Sequence, residues 1–101
     1  MSHQNELVIP DGALTDREAR ECLRVWKVGE GCEVTVLAGV WKDPRAWGLL
    51  LADLVHHITA AYQQSAGLDP QNTRMAILMM LAAELRAPTD TPTGGIVGSQ
   101  Q

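Results

Sequence analysis

A carboxylate and two imidazoles lie close together in one apolar stretch of the sequence, where they could do acid–base chemistry. Asp53 precedes His56 by three residues and His57 by four, a spacing that on a helix brings the carboxylate toward both rings. A carboxylate beside a histidine can orient the imidazole as a general base or as a metal ligand. The simpler interpretation, which we favour, is a solvated or interface Asp–His pair that supports the helix.

A metal site needs more ligands than this stretch provides. Zinc sites usually have three or four protein ligands, and no further His or Cys follows at a suitable spacing. His3 is near the beginning of the chain, and Cys22 and Cys32 do not form the CxxC pair of a redox or zinc site. We therefore expect no metal, no cofactor and no catalytic residue.

Two of the three tryptophans suggest a different chemistry, the binding of a small acidic ligand. Trp41 and Trp47 flank Asp43-Pro44, a predicted helix start where backbone N–H groups could hold an anion. One hypothesis is therefore a ligand pocket at the helix–sheet junction, lined by Trp41, Asp53 and His57. The alternative, which we favour, is that the tryptophans pack in the core and that Asp43 already caps the helix.

Two helices are predicted to position these residues. Asp43-Pro44 and Asp69-Pro70 are typical helix starts, because Asp accepts the first backbone N–H groups and Pro is preorganised for the first helical position. Apolar residues at three- and four-residue spacing indicate one helix over residues 44–66, ended by Gly67, and a second over 70–87, ended by Pro88. The short link between them predicts antiparallel neighbours.

Two strands precede the helices. Residues 23–28 and 32–38 alternate as an antiparallel β-hairpin around Gly29-Glu30-Gly31, with Gly31 in the left-handed conformation. This register places Trp26 opposite Val34, and Lys27 opposite Glu33 as a cross-strand charge pair. The two cysteines then lie at opposite ends of the hairpin, farther apart than the roughly 7 Å between Cα atoms that a disulfide spans. We predict two mostly buried thiols.

Weaker signals mark the two ends of the chain. Residues 7–9, before Pro10, predict a short edge strand, and Thr15 with Glu18 fits a capping box that starts a short helix. Residues 88–101 have linker composition and no apolar periodicity, which predicts a flexible tail. The prediction is one compact α+β domain over residues 1–87, with a short N-terminal strand and helix, a hairpin and two long antiparallel helices.

Three segments resemble a known family. They are residues 37–48 (Leu-Ala-Gly-Val-Trp-Lys-Asp-Pro-Arg-Ala-Trp-Gly) with the following Asp53-Leu54 and His57, residues 5–10 (Asn-Glu-Leu-Val-Ile-Pro), and residues 88–90 (Pro-Thr-Asp). Together they resemble an uncharacterised bacterial family of proteins about this long, a domain of unknown function. The resemblance covers nearly the whole chain. It implies a compact bacterial α+β domain and carries over no activity, cofactor or catalytic residue.

Composition excludes several classes of partner. Eight Lys and Arg against twelve Asp and Glu give a net charge of −4, whereas proteins that bind nucleic acid or membrane surfaces need clustered positive charge. The longest apolar run, residues 75–83, is about half the length that crosses a bilayer. Residues 1–5 have neither the basic start nor the apolar stretch of a signal peptide. We expect a soluble cytoplasmic protein that binds neither nucleic acid nor membrane.

The second predicted helix points to self-association. Residues 75–83 leave it without a polar face, and a helix that is apolar all round is buried on every side. Either the rest of the monomer wraps it or, as we favour, a second copy covers it in a homodimer. We predict a non-enzymatic homodimeric interaction or regulatory module, with an unidentified protein as a further partner. The alternative is a small acidic-ligand binder or minor enzyme with a pocket near Trp41, Asp53 and His57, and the burial of these residues discriminates the two.

Overall fold

A computed structural model describes residues 2–88 and the backbone of residues 93–97. The sheet has the strand order β1 (Leu23–Val28), β2 (Gly31–Leu37) and β3 (Thr93–Val97), in which β2 is antiparallel to β1 and parallel to β3. The predicted α+β class, the antiparallel hairpin and the two long helices are confirmed. The elements in chain order are α1 (Asp11–Thr15), β1 (Leu23–Val28), β2 (Gly31–Leu37), a single 3-10 turn (Ala38–Val40), α2 (Arg45–Ala66), α3 (Pro70–Arg86) and β3 (Thr93–Val97).

The hairpin turn is shorter than predicted. Gly29 and Glu30 alone connect the two strands, and Gly29 has a φ of +59°. Glycine at the first of two central positions, with a negative φ at the second, is the pattern of a type II′ turn. The prediction that Gly31 takes the left-handed conformation is therefore wrong, since Gly31 is instead the first residue of β2.

The shorter turn shifts the strand register by one residue. Trp26 lies opposite Glu33 rather than Val34, and Lys27 lies opposite Cys32 rather than Glu33. The predicted Lys27–Glu33 charge pair is therefore wrong, and the Lys27 ammonium donates instead to the backbone oxygen of Gly29 at 2.9 Å. Because side chains alternate between the two faces, a one-residue shift changes which residues are cross-strand neighbours.

Both long helices begin where the sequence predicts. At α3 the Asp69 carboxylate accepts a hydrogen bond from the Asn72 backbone N–H at 2.9 Å, and Pro70 is the first helical residue. At α2 the Asp43 carboxylate accepts from the Arg45 backbone N–H at 2.9 Å, and the helix begins one residue later than predicted. The two helices contact one another, and the link of residues 67–69 joins them as a helical hairpin.

The N-terminal prediction is wrong in two respects. Residues 7–9 form no strand, and no backbone hydrogen bond joins them to β1 within residues 2–28. Helix α1 begins at Asp11, because the Pro10 carbonyl already accepts from the N–H groups of Ala13 and Leu14. Thr15 is the last residue of this helix rather than its cap, and its hydroxyl donates back to the Asp11 carbonyl at 3.2 Å.

The C-terminal segment also differs from the prediction. Residues 93–97 were expected to lie in a tail without regular structure, and their backbone forms β3 beside β2. The local sequence hides this strand because two of its five residues are glycines, which weaken strand propensity. The remainder of the predicted tail, residues 89–92 and 98–101, lies outside the described residues, and the domain boundary at residue 87 stays a prediction.

The cysteines form no disulfide, as predicted, but only one of them is covered. Cys22 is half-buried and Cys32 is exposed. The prediction of two mostly buried thiols is therefore wrong for Cys32. Cys32 is the second residue of β2, at the turn end of the hairpin, where its cross-strand neighbour Lys27 is exposed too.

The chain covers little of its apolar surface. Leu37, with 8% of its surface exposed, and Thr59, with 7%, are the buried residues in the part of the chain that the structure describes. The total accessible surface is 8850 Å², whereas a folded monomer of 11.0 kDa typically exposes roughly 5,600 Å². The radius of gyration is 15.4 Å, against about 13 Å for a compact domain of this length. One copy of the chain therefore leaves surface uncovered that a compact monomer would bury.

Candidate functional site

The Asp53–His57 pair lies at the surface of α2. The Nε2 atom of His57 is 3.2 Å from Oδ2 of Asp53, and the two side chains are 74% and 65% exposed. His56 on the same helix is exposed as well. Catalytic acids and bases are usually tuned by burial and by close charged neighbours in a cleft, and this pair is mostly in water. Its geometry corresponds to the solvated pair of the simpler interpretation.

Trp41 makes its ring contact with Trp47. The ring centroids are 5.2 Å apart at an interplanar angle of 78°, an edge-to-face arrangement that aromatic pairs favour. Asp53 follows Trp47 by six residues, which places it about 9 Å along the helix and about 120° around it. The Trp41–Trp47 contact and the Asp53–His57 contact therefore point to different sides of α2.

The negatively charged group at the start of α2 is the Asp43 carboxylate. The pKa of Asp43 is lowered first by the side-chain hydrogen bonds from Arg45 and then by the Arg45 backbone N–H. Nε of Arg45 lies 3.0 Å from Oδ2 of Asp43, and a terminal guanidinium nitrogen lies 2.8 Å from the same oxygen. Asp43 thus occupies the position at the helix start where the ligand hypothesis would place a bound anion.

The described part of the chain has neither a cluster of metal ligands nor a helix that could span a membrane. Within residues 2–88, no three His, Cys, Asp or Glu side chains are grouped so that they could hold a metal ion. None of the helices in that range is both long and apolar enough to span a bilayer.

Helix α3 presents an apolar outer face. Its side toward the rest of the chain is half-buried at Thr73, Ile77 and Glu84, and none of its residues is buried. On the other side Met79 is 69% exposed and Leu85 is 76% exposed. Residues three and four apart share one side of a helix. The residues of this outer stripe are Met75, Leu78, Met79, Ala82 and Leu85.

A second apolar surface, which the sequence did not reveal, lies at the N-terminus. We name residues 2–10 the N-terminal arm. An open groove of about 830 Å³ is lined by the arm, by α1 and the segment that follows it, and by the start of β1, with Leu7, Val8, Leu23 and Val25 among its apolar residues. Leu7 and Val8 are 89% and 90% exposed. The one sequence signal for this surface is the strand-like character of residues 7–9.

The arm is fastened to β1 by side chains. The Glu6 carboxylate lies 3.3 Å from the Arg24 guanidinium. The His3 ring lies edge-on to Trp26, with 4.9 Å between the ring centroids. The arm therefore keeps its place beside the groove without backbone pairing to the strand.

Comparison with known proteins identifies the family. A family model described as a domain of unknown function (DUF5076) matches residues 6–89. The chain belongs to this family. The match confirms the resemblance seen in the sequence. It also shows that most of the arm and the whole of α3 belong to the DUF5076 domain.

One solved structure is similar over almost the whole DUF5076 chain. It is described as a "putative pyruvate dehydrogenase" from the photosynthetic bacterium Rhodopseudomonas palustrus CGA009. The two proteins are 28% identical with a TM-score of 0.74, and the match covers 92% of this chain and 95% of that one. The similarity supports the α+β fold described above. No curated protein matches the chain.

Proposed function

We propose that this DUF5076 protein is a non-enzymatic interaction module that acts as a homodimer, with the outer stripe of α3 at the contact between two copies. The observation that carries the proposal is the exposure of that stripe. Residues 75–83 are apolar on every side, yet none of α3 is buried within one chain. Water is an unfavourable environment for so much apolar surface, and a second copy would remove it.

The size of the uncovered surface supports the same proposal. The chain exposes 8850 Å², which is roughly 3,200 Å² more than a typical folded monomer of its mass. A standard protein–protein interface covers about 800 Å² on each partner. The exposed surface is therefore large enough to include an interface of that size.

The spacing of the outer stripe fits helix-on-helix packing. Met75, Leu78, Ala82 and Leu85 alternate at three and four residues, the spacing of the a and d positions in a coiled-coil seam. A two-fold axis beside α3 would bring the same stripe of both copies together, as in an isologous interface. Ala82, the small residue of the stripe, allows a close approach of the two helices there.

An enzymatic role has less support. The contacting pairs Asp53–His57 and Asp43–Arg45 are mostly exposed, and catalytic groups usually need burial to reach a suitable pKa. For this reason we do not extend the activity in the name of the Rhodopseudomonas structure to this chain. We further propose a cytoplasmic location, because two cysteines that do not form a disulfide are typical of a reducing compartment.

Sedimentation equilibrium of the full chain tests the proposal. At micromolar concentration we expect twice the 11.0 kDa mass of one chain, falling toward the single-chain mass on dilution. A compact monomer of 11.0 kDa at tens of micromolar would contradict the proposal.

A further inference from the structure

The N-terminal arm contains a strand-forming segment that makes no backbone pairing with a strand among the described residues. Residues 7–9 are Leu-Val-Ile, and β-branched residues favour strands. They are followed by Pro10, which typically ends a strand. Leu7 and Val8 are almost fully exposed, and no backbone hydrogen bond joins residues 7–9 to β1 within residues 2–28. The local sequence and the single-chain structure therefore disagree at this segment.

The sheet has an open edge close to this segment. β1 is an edge strand in the described part of the chain, because the strand order is β1-β2-β3 and the partner of β1 there is β2. An exposed edge presents unpaired backbone groups that proteins normally cover or blunt. The groove beside this edge is lined by Leu23 and Val25, and Val25 is 54% exposed. An apolar strand laid along the edge would cover both.

The arm is anchored at both ends of this segment but does not fill the groove itself. Before residues 7–9, Glu6 is held by Arg24 and His3 by Trp26. After them, Pro10 accepts the first hydrogen bonds of α1. Residues 7–9 line the groove of their own chain, so their transfer to a second copy requires His3 and Glu6 to make the same contacts with the partner's Trp26 and the partner's Arg24.

We propose that two copies exchange this segment, so that residues 7–9 of one protomer enter the groove of its partner and extend the partner's sheet along β1. The proposal rests on the proposed homodimer. Each chain presents an apolar segment without a strand partner and an open edge at β1. In a two-fold dimer, the segment of each copy would pair with the open edge of the other. Strand addition supplies main-chain hydrogen bonds, and the apolar walls of the groove take the side chains.

Photo-crosslinking in mixed dimers tests the exchange. The full chain carrying p-benzoylphenylalanine at position 8 is co-expressed with a heavier, tagged chain without the probe. We expect a light–heavy adduct whose cross-linked peptide on the heavy chain contains residues 23–26. A cross-link confined to the light chain's own β1, or one to the heavy chain's α3, would overturn the exchange while the dimer stands. A monomeric mass in the same sample overturns the dimer proposal as well.

A pair of matched variants gives an independent measurement. Val8→Glu places a charge on the arm, and Leu49→Glu places the same charge at another exposed apolar position, 76% exposed on α2. We expect Val8→Glu to weaken dimerisation at least tenfold and Leu49→Glu to leave it within twofold. Equal effects of the two variants, or no effect of Val8→Glu, would rule the exchange out.

Discussion

Helices α2 and α3 have the same kind of start, but they differ in how far the rest of the chain covers them. Each begins at an Asp-Pro pair whose carboxylate accepts a backbone N–H of the first turn. Yet α2 has a buried residue, Thr59, beside the half-buried Trp47 and Leu50, whereas α3 has half-buried residues but no buried one. The start signals of a helix thus determine where it forms, while its apolar surface determines what else must cover it.

The largest effect should follow from a charge in the outer stripe of α3. In a two-fold dimer, Met79→Glu would place one carboxylate from each copy in the interface. Burying one Met contributes about 1.5–3 kcal/mol, so we expect dimerisation to weaken by about 3 kcal/mol or more, roughly 100-fold. Sedimentation equilibrium measures the change, and circular dichroism shows whether the helices persist.

The same substitution on α2 is the control for that experiment. Leu49 is 76% exposed, slightly more than Met79 at 69%, but it has no apolar stripe around it, with His56 and Asp53 on the same side of α2. Leu49→Glu should leave both the mass and the stability nearly unchanged. If Met79→Glu also leaves the mass and the stability unchanged, the contrast between α2 and α3 has no consequence for assembly.

The next effect concerns two glycines of α2, Gly48 near the start of the helix and Gly67 just after its last residue. An added Cβ meets nothing within 4 Å at Gly48 or at Gly67, so space does not distinguish them. Gly67 has a φ of +67°, where Ala is strained by about 1–2 kcal/mol, while Gly48 lies within the helix, where Ala is favoured by about 0.5–1 kcal/mol. Urea unfolding should therefore show Gly67→Ala destabilised and Gly48→Ala stabilised. Shifts of the same sign would contradict this explanation.

Removal of the α3 cap should have a smaller effect. Asp69→Ala deprives the Asn72 N–H of its 2.9 Å acceptor, and loss of such a cap costs about 1 kcal/mol. Asp69→Asn keeps an acceptor and should retain most of the stability. Urea unfolding of the two variants measures the difference, and equal losses would show that the side chain does not act as a cap.

The elements of the fold were predictable where the signal is local. The helix starts at Asp43 and Asp69 and the end at Gly67 each depend on chemistry within a few residues, and the structure has them within one residue of the prediction. The hairpin register was not predictable in this way. Gly29 and Gly31 both suit a left-handed turn position, and strand alternation fits either choice. The sequence alone therefore allows two strand registers that differ by one residue.

The surfaces were predictable only where the residues that form them are close together in the sequence. The Asp53–His57 contact follows from a four-residue spacing on one helix, and the apolar surface of α3 follows from its composition. The groove has both Leu7 and Val25 in its lining, and these residues are separated in sequence by α1 and its flanking turns. No local sequence pattern predicts that these distant residues share a groove. The sequence alone predicts an edge strand at residues 7–9, which the single chain does not form.

The smallest effect should be an acid weakening of the start of α2. Arg45 lowers the pKa of Asp43, which means that folding favours the charged carboxylate. The stabilisation is therefore present above the ordinary pKa of Asp, about 4, and is lost as the pH falls through the lower pKa of the folded state. Because the Arg45 side chain is 91% exposed, the contribution should be small and reduced by salt.

An NMR titration of the Asp43 carboxyl carbon separates the two causes of this shift. Arg45→Gln removes the guanidinium, which makes the larger contribution, but keeps the backbone N–H at position 45. The pKa of Asp43 should then rise only part of the way to its ordinary value. A complete return would mean that the backbone N–H contributes nothing and that Asp43, unlike Asp69, is a partner of its arginine rather than a cap. The two helix starts would then differ in chemistry as well as in surroundings.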